Sequence, residues 1–452
     1  MTSVAVRSGG RRRAIGVILV VLILLTGFIS ARAATVTIQE GRVALEPGEI
    51  LTVHAQTSWG LPLRDALSWS VLPSFLGTVD ERGGFHAGEM SGSGTLTAQF
   101  GSASAEIPVT VTCPKGALIQ GVRFDVSCGR IADVYVDVSA SGGAEHARDE
   151  VEREADRVSR DLQIVADRRF RVYYVGSTAA FGTTIAWLGR GFSTGPQVRE
   201  SDAAYLDLED IVAIDQSQTS ITQTAQALRH ELTHRFLRQL VGYTNVAKIP
   251  TWLNEGLAFL EESEPGWLRT EARVVSASSA HLGKLPSLAT LSDLDAWNDR
   301  TGLDHLYQYY AAAQAAQLVI DDITLAGVLR VLKIVSSGVS FPKALAQAVP
   351  DFDYTAFGSR LSDRVAALLP AYPGITVAPG SPDGTGVTVI AYGLTPNAPA
   401  TIATKGPLER VAAGRVDPYG IYVKYLGAEW PPGEYRVTLE SEGRRFEVTA
   451  AR

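Results

Sequence analysis

The chain has 452 residues, enough for about three domains. Its 46% hydrophobic and 20% charged residues can build several buried cores and exclude a disordered chain. A net charge of −7, with no basic tract beyond the N-terminus, excludes nucleic acid as an expected partner, and two cysteines exclude a disulfide-rich scaffold.

The N-terminus reads as a targeting segment. Arg7, Arg11, Arg12 and Arg13 form a basic stretch, Ala14 to Ile29 is an almost unbroken apolar run, and Ser30-Ala31-Arg32-Ala33-Ala34 offers an A-x-A cleavage site after Ala33. Residues 1–33 are therefore expected to be a cleaved signal peptide, with an uncleaved signal anchor as the alternative. The expected location is extracellular or at the cell surface after export, membrane-tethered if the anchor is kept.

Residues 34–112 alternate apolar and polar side chains in short runs such as Ile50 to Ala55, Leu67 to Val71 and Thr95 to Phe100, separated by Gly, Pro, Ser and Asp. That pattern predicts an all-β module. A connector, 113–131, carries both cysteines. Once exported, Cys113 and Cys128 are expected to pair, closing the segment between strands at Glu106 to Thr112 and Val122 to Ser127.

From residue 132 the pattern changes to mixed α and β. Asp133 to Val138, Phe170 to Val175 and Asp210 to Asp215 read as strands. Glu145 to Ala166 reads as an amphipathic helix with Val151, Ala155, Val158 and Leu162 on one side. Gly182 to Gly195 reads as a mobile, glycine-rich loop. The next helix, with Ala225, Leu228, Leu232, Phe236 and Leu240 at helical spacing, contains His230-Glu231-Leu232-Thr233-His234. This is the H-E-x-x-H pattern: histidines four residues apart reach one metal ion from one helix face, and the intervening glutamate is placed to take a proton from water. The pattern implies one Zn2+ per chain and leaves the ion short of a third protein ligand. Trp252-Leu253-Asn254-Glu255-Gly256-Leu257-Ala258 supplies the candidate, Glu255, on a helix that Pro250 can open. Further helices are expected around Leu318, Leu329, Leu345 and Val365. Residues 371–452 turn all-β again, with strands at Val387 to Tyr392, Gly420 to Leu426 and Glu434 to Leu439 and no catalytic grouping.

These motifs resemble those of the gluzincins, and most closely the peptidase MA-like domains, whose histidine motif is followed by W-L-x-E-G-x-A. The resemblance covers about half of the chain. It implies an α+β, zincin-like metallopeptidase domain at 132–370, with His230, His234 and Glu255 as zinc ligands and Glu231 as general base toward a metal-activated water. It also implies an oxyanion donor on the helix that begins near Asp304-His305-Leu306-Tyr307-Gln308-Tyr309-Tyr310. Counting back from Gly338-Val339-Ser340-Phe341, which shares the resemblance, gives Tyr310 or Tyr309; Tyr310 is the expected donor, with Tyr309 and His305 behind it. Gluzincins bind substrate backbone along an edge strand, here expected within Ala203 to Asp215. The segment Leu67-Ser68-Trp69-Ser70-Val71 with Leu76 to Asp80 and Gly84-Phe85 is similar to bacterial immunoglobulin-like surface modules, and residues 371–452 resemble another immunoglobulin- or fibronectin-like module. The fold class expected is thus a metallopeptidase domain between two all-β sandwich modules.

The function implied is a zinc-dependent peptidase acting on protein or peptide substrates, with contact to the cell envelope through the β modules. The G-x-M-E-N pattern by which aminopeptidase N-like enzymes hold a free N-terminus is missing, so endopeptidase action is the default. The alternative is a surface adhesion or wall-binding protein that keeps zinc but cleaves little. Glu231 favours the enzyme, because a zinc scaffold has no use for a general base.

Overall fold

Period-two burial builds the first β region. Along Ala103–Val111, Ile107, Val109 and Val111 are buried while Glu106 and Pro108 face out. This strand lies in a four-stranded sheet ordered Val43–Leu45, Ala103–Val111, Gly92–Phe100, Ser68–Leu72. A second sheet is ordered Ile50–Thr52, Gly84–Ala87, Gly77–Val79. Val43, Val71, Leu96 and Val109 of the first share one core with Phe85 and Ala87 of the second, a two-sheet sandwich. The computed structural model describes residues 35–57, 67–166, 168–189, 203–206, 210–218, 221–263, 266–369, 371–382, 386–427 and 430–451. The expected signal segment, 1–33, lies outside them. The chain divides into two compact units, Met1–Pro114 and Lys115–Arg452. Both cysteines, Cys113 and Cys128, are disulfide-bonded.

The second unit is built on a six-stranded mixed sheet. Its order is Gly116–Ile119, Val122–Cys128, Ala132–Asp137, Phe170–Val175, Ile211–Asp215, Ala203–Leu206. Ala132–Asp137, Phe170–Val175 and Ile211–Asp215 run parallel in the centre. They are apolar along nearly their whole length because both faces are covered. Val134, Val172, Tyr174, Val212 and Ile214 face the helices Ala144–Leu162 and Ile221–Val241. Tyr135, Tyr173 and Ala213 face the helix Thr178–Leu188 on the other side.

That last helix corrects the expected glycine-rich loop over its first part. Ser177 caps it, its Oγ accepting from the Ala180 amide at 3.2 Å, and Phe181, Ile185 and Leu188 recur at helical spacing against the sheet. Residues 190–195 of the expected loop lie outside the described residues. Ala203–Leu206, paired antiparallel to Ile211–Asp215, forms the sheet edge within the stretch expected to meet substrate.

A helical lobe follows the sheet: Thr251–Glu262, Trp267–His281, Leu288–Ser292, Leu294–Asn298, Gly302–Val335, Phe341–Ala348 and Tyr354–Ala366. The helices expected around Leu318 and Leu329 are one run, Gly302–Val335, broken by the left-handed backbone of Thr324 at φ 66°. The C-terminal strands form a three-stranded sheet (Gly374–Pro379, Val387–Tyr392, Tyr422–Leu426) and a four-stranded one (Arg410–Arg415, Pro399–Lys405, Glu434–Ser441, Arg444–Ala451). Val387–Tyr392 is buried throughout. Val387 and Val389 face the second sheet, while Ile390 and Tyr392 join the core of the helical lobe. Among the described residues no helix is long and apolar enough to cross a membrane.

Candidate metal centre

The helix Ile221–Val241 is held on two sides. Leu228, Leu232 and Phe236, at i, i+4 and i+8, pack on the sheet, and Leu237 and Val241 enter the helical core. His230 and His234, one turn apart, are thereby fixed on a third side. The helix stops at Gly242, whose φ of 80° suits a residue without Cβ.

The glutamate helix Thr251–Glu262 crosses below them. Its fully buried Trp252 meets Phe341 edge-on at 6.1 Å, so the Gly338-Val339-Ser340-Phe341 stretch buttresses the start of this helix. Gly256 meets the long helix backbone to backbone. A Cβ there would lie 2.4 Å from the Ala312 carbonyl oxygen and 2.8 Å from the Ala316 Cβ. The glycine of the E-G-L-A stretch thus permits the close approach that sets the height of Glu255.

Glu255 Oε2 lies 3.4 Å from Nε2 of His230 and 3.4 Å from Nε2 of His234. The ligand atoms of all three residues lie within 4.8 Å of one another. Atoms about 2.0–2.1 Å from a tetrahedral ion are about 3.3–3.4 Å apart, so the donor set fits zinc in chemistry, and the two distances from Glu255 fit it in spacing. Burial opposes charge on all three residues, but they compensate one another. The carboxylates of Glu255 and Glu262 outweigh burial and raise the His230 pKa well above its usual value. Burial likewise disfavours ionised Glu255, yet His234 and His230 hold its pKa well below the carboxylate range. A metal ion bound by these residues would displace the protons they share.

Glu231 is buried beside this group. Burial raises its pKa, Glu255 and Glu262 push the same way, and the two histidines oppose them. A carboxyl shifted upward is a better proton acceptor.

Sequence reasoning missed one residue here. Glu262 Oε2 lies 2.9 Å from His230 Nδ1, on the side of the ring away from Glu255. It fixes the tautomer and orientation of the imidazole and leaves Nε2 free for a metal. The signal was present, since Glu262 follows Glu255 by seven residues, two turns along one helix face. Arg229 anchors the end of that helix. Its guanidinium donates to the carbonyls of Glu261 (3.1 Å) and Glu262 (3.3 Å) and pairs with buried Glu154 at 3.0 Å. His234 Nδ1, by contrast, finds no hydrogen-bond partner among the described residues.

The selection of Tyr310 as oxyanion donor is corrected. Tyr310 is buried in the helical core, where its hydroxyl donates to Glu271 Oε1 at 3.2 Å and its ring packs on Phe259 at 5.2 Å. Tyr309 is the tyrosine at the site, its ring 6.1 Å from His230 and edge-on to Trp297 at 5.0 Å. Burial, with Glu255 next, raises its pKa far above the usual range, so it stays a donor. One residue of offset turns a side chain by about 100°, enough to move it from cleft to core. His305 lies one turn before Tyr309, their rings 5.2 Å apart. Its Nδ1 lies 2.9 Å from the Gln308 amide nitrogen, which also donates to the Trp297 carbonyl. Burial lowers the His305 pKa, which favours the neutral ring with its proton on Nε2.

No family model matches the sequence, and no curated protein does so significantly. Among solved structures, the chain is similar to an M1 zinc metallopeptidase from Deinococcus radiodurans, at 14% identity and a TM-score of 0.32, over 67% of this chain and 61% of that one. It is also similar to an aminopeptidase N family protein from Idiomarina loihiensis, at 8% identity and a TM-score of 0.31, over 88% and 77%. The chain thus spans about three fifths of the Deinococcus enzyme. TM-scores this low say nothing of function, which must be read from the residues of the site.

Proposed function

We propose that the protein is a zinc-dependent peptidase, an endopeptidase by default because no G-x-M-E-N anchor for a free N-terminus is present in its sequence. One observation carries the reading. Two imidazole nitrogens, each 3.4 Å from one carboxylate oxygen, converge within 4.8 Å of one another, with a buried glutamate, Glu231, adjacent. His230, His234 and Glu255 would hold the ion. Zinc, when bound, supplies Lewis acidity at a scissile carbonyl and acidifies a water at its open position. Glu231 takes the proton of the attacking water and returns it to the departing amine. Tyr309 donates a hydrogen bond to the oxygen on which charge develops. The strand Ala203–Leu206, last in the sheet order among the described residues, is where we expect an extended peptide to align with the sheet.

We read the chain as exported, on the basic-apolar-small sequence of residues 7–34, with the β regions making contact with the cell envelope. N-terminal sequencing of protein from the producing cells would show a start at Ala34 if the signal is cleaved after Ala33.

The decisive assay is hydrolysis of a mixed peptide library with and without chelator, beside Glu231→Gln. Chelator-sensitive cleavage is expected from the native protein. The variant should keep its zinc and lose about two to four orders of magnitude in rate. Bound zinc with no cleavage by the native protein, and no difference in the variant, would point instead to a zinc-containing surface scaffold.

A further inference from the structure

We infer that the C-terminal β region is a working part of the metal centre: it latches the turn of the long helix that carries His305 and Tyr309, and Asp417, Tyr419 and Glu271 are positioning residues. The role in turnover rests on the proposed peptidase activity; the latch itself rests on geometry alone.

The start of the long helix has two functional faces. At about 100° per residue, Asp304, Tyr307 and Tyr310 fall on one side and His305 and Tyr309 on the opposite side. The second face looks onto the metal centre, with Tyr309 beside His230. At Asp304 and Tyr307 the first face is gripped by hydrogen bonds to residues more than a hundred positions later in the chain. The Tyr307 hydroxyl donates to Asp417, and the Tyr419 hydroxyl donates to Asp304. The Tyr307 and Tyr419 rings meet edge-on at 4.8 Å. The Tyr310 hydroxyl donates to one oxygen of Glu271 at 3.2 Å, and the other oxygen accepts from Tyr425 of strand Tyr422–Leu426 at 3.2 Å. One carboxylate thereby joins the long helix, the helix Trp267–His281 and the C-terminal sheet.

The gripping loop is itself rigid. Asp417 Oδ1 accepts the backbone amides of Tyr419 and Ile421, both at 2.8 Å. Lys284 donates to the Pro418 carbonyl at 2.6 Å and lies 5.0 Å over the Tyr419 ring. Ser278 Oγ donates to the Tyr419 carbonyl at 3.1 Å. Ile421 is buried in the helical core. Nothing in this set touches the metal ligands. Its effect falls on the angle and height of the helix turn between Asp304 and Tyr310, and therefore on Tyr309. Gly302, with φ of 58°, begins this helix, and its first turn lies exposed at residues 302–304. Without the loop, that turn lacks the two bonds that tie Asp304 and Tyr307 down.

The test uses full-length, zinc-loaded protein and the pair Tyr307→Phe/Tyr419→Phe, which removes two hydroxyls and leaves the rings. Hydrogen exchange is read first. Exchange across residues 302–312 should rise while the two motif helices, 221–241 and 251–262, stay as in the native protein. Unchanged exchange at 302–312, or an equal rise everywhere, overturns the latch whether or not the protein cleaves anything. The kinetic arm is a cycle with Tyr309→Phe. In the native background the pair should lower kcat about tenfold with KM and zinc content kept, since a small misplacement of a transition-state donor is costly. In the Tyr309→Phe background the same pair should change kcat by less than about twofold, because the group it positions is already lost. Equal losses in both backgrounds would mean general weakening and would overturn the positioning role. Absence of hydrolysis by the native protein would refute the peptidase reading, and the exchange arm would still decide the latch.

Discussion

Glu262 and Tyr309 show how much of this site depends on single side chains that do not belong to the recognisable motifs. Glu262 contacts the far nitrogen of His230 and is expected to orient the ring and raise its basicity as a ligand. Glu262→Ala should therefore weaken zinc binding by about 10–100-fold, as measured by competition with a chromogenic chelator. An unchanged affinity would remove Glu262 from the site. The two adjacent tyrosines make a sharper contrast. Tyr309→Phe should lower kcat with little effect on KM, because an oxyanion donor acts mainly in the transition state. Tyr310→Phe should instead act mainly on stability, costing about 1 kcal/mol through the lost bond to buried Glu271, and lower kcat much less than Tyr309→Phe does. Steady-state kinetics and thermal unfolding on the two variants separate these roles, and a reversed pattern would restore Tyr310 to the cleft.

At the scale of elements, the centre is a packing problem among three helices. The motif helix is fixed by the sheet, and the glutamate helix is fixed by Arg229 at its end and by Trp252 at its start. Its contact with the long helix runs through Gly256. Gly256→Ala places a methyl group against the Ala312 carbonyl with no flexible neighbour to yield. The two helices must separate, at a cost of about 1–3 kcal/mol, and Glu255 moves with them. Lower thermal stability together with weaker zinc retention is expected. Loss of stability with zinc affinity preserved would show that the height of Glu255 is set elsewhere. Much of this level is legible in the sequence. The i, i+4 histidines and the apolar stripe of Leu228, Leu232 and Phe236 define one helix face each, whatever the rest of the chain does. The helix Thr178–Leu188 is masked by Gly182, because glycine content suggests a loop there while the spacing of Phe181, Ile185 and Leu188 supports a helix only once a sheet lies against it.

At the scale of the second unit, the C-terminal sheets and the helical lobe share apolar core and buried carboxylates. Burial raises the pKa of Glu271, and the hydroxyls of Tyr425 and Tyr310 only partly offset this. A raised folded-state pKa favours the protonated acid in the fold. The stability linked to Glu271 is therefore fully present below the ordinary glutamate range and is lost as pH rises through its own higher value. Glu271→Gln abolishes that dependence. Relative to the native protein, the variant should gain in melting temperature between pH 4 and pH 7, and a constant difference across that range would show that Glu271 does not titrate in the fold.

Sequence alone determined the chemistry on offer: two histidines with a glutamate between them at the spacing of a metal site, a second carboxylate on a helix of its own, and strands whose apolar runs announce burial on both faces. These are local properties, set by the helix period, the sheet pleat and the donor preferences of a metal ion. Tertiary structure decided the rest. Periodicity fixes the angle between Tyr309 and Tyr310 but not which of them faces His230, since that depends on how Asp304, Tyr307 and Tyr310 are held from Glu271, Asp417 and Tyr419. Likewise the role of residues 417–425 was invisible in a stretch that reads as one more β segment. Its partners lie more than a hundred residues away, and no local pattern encodes the phase of a helix relative to a sheet it has yet to meet.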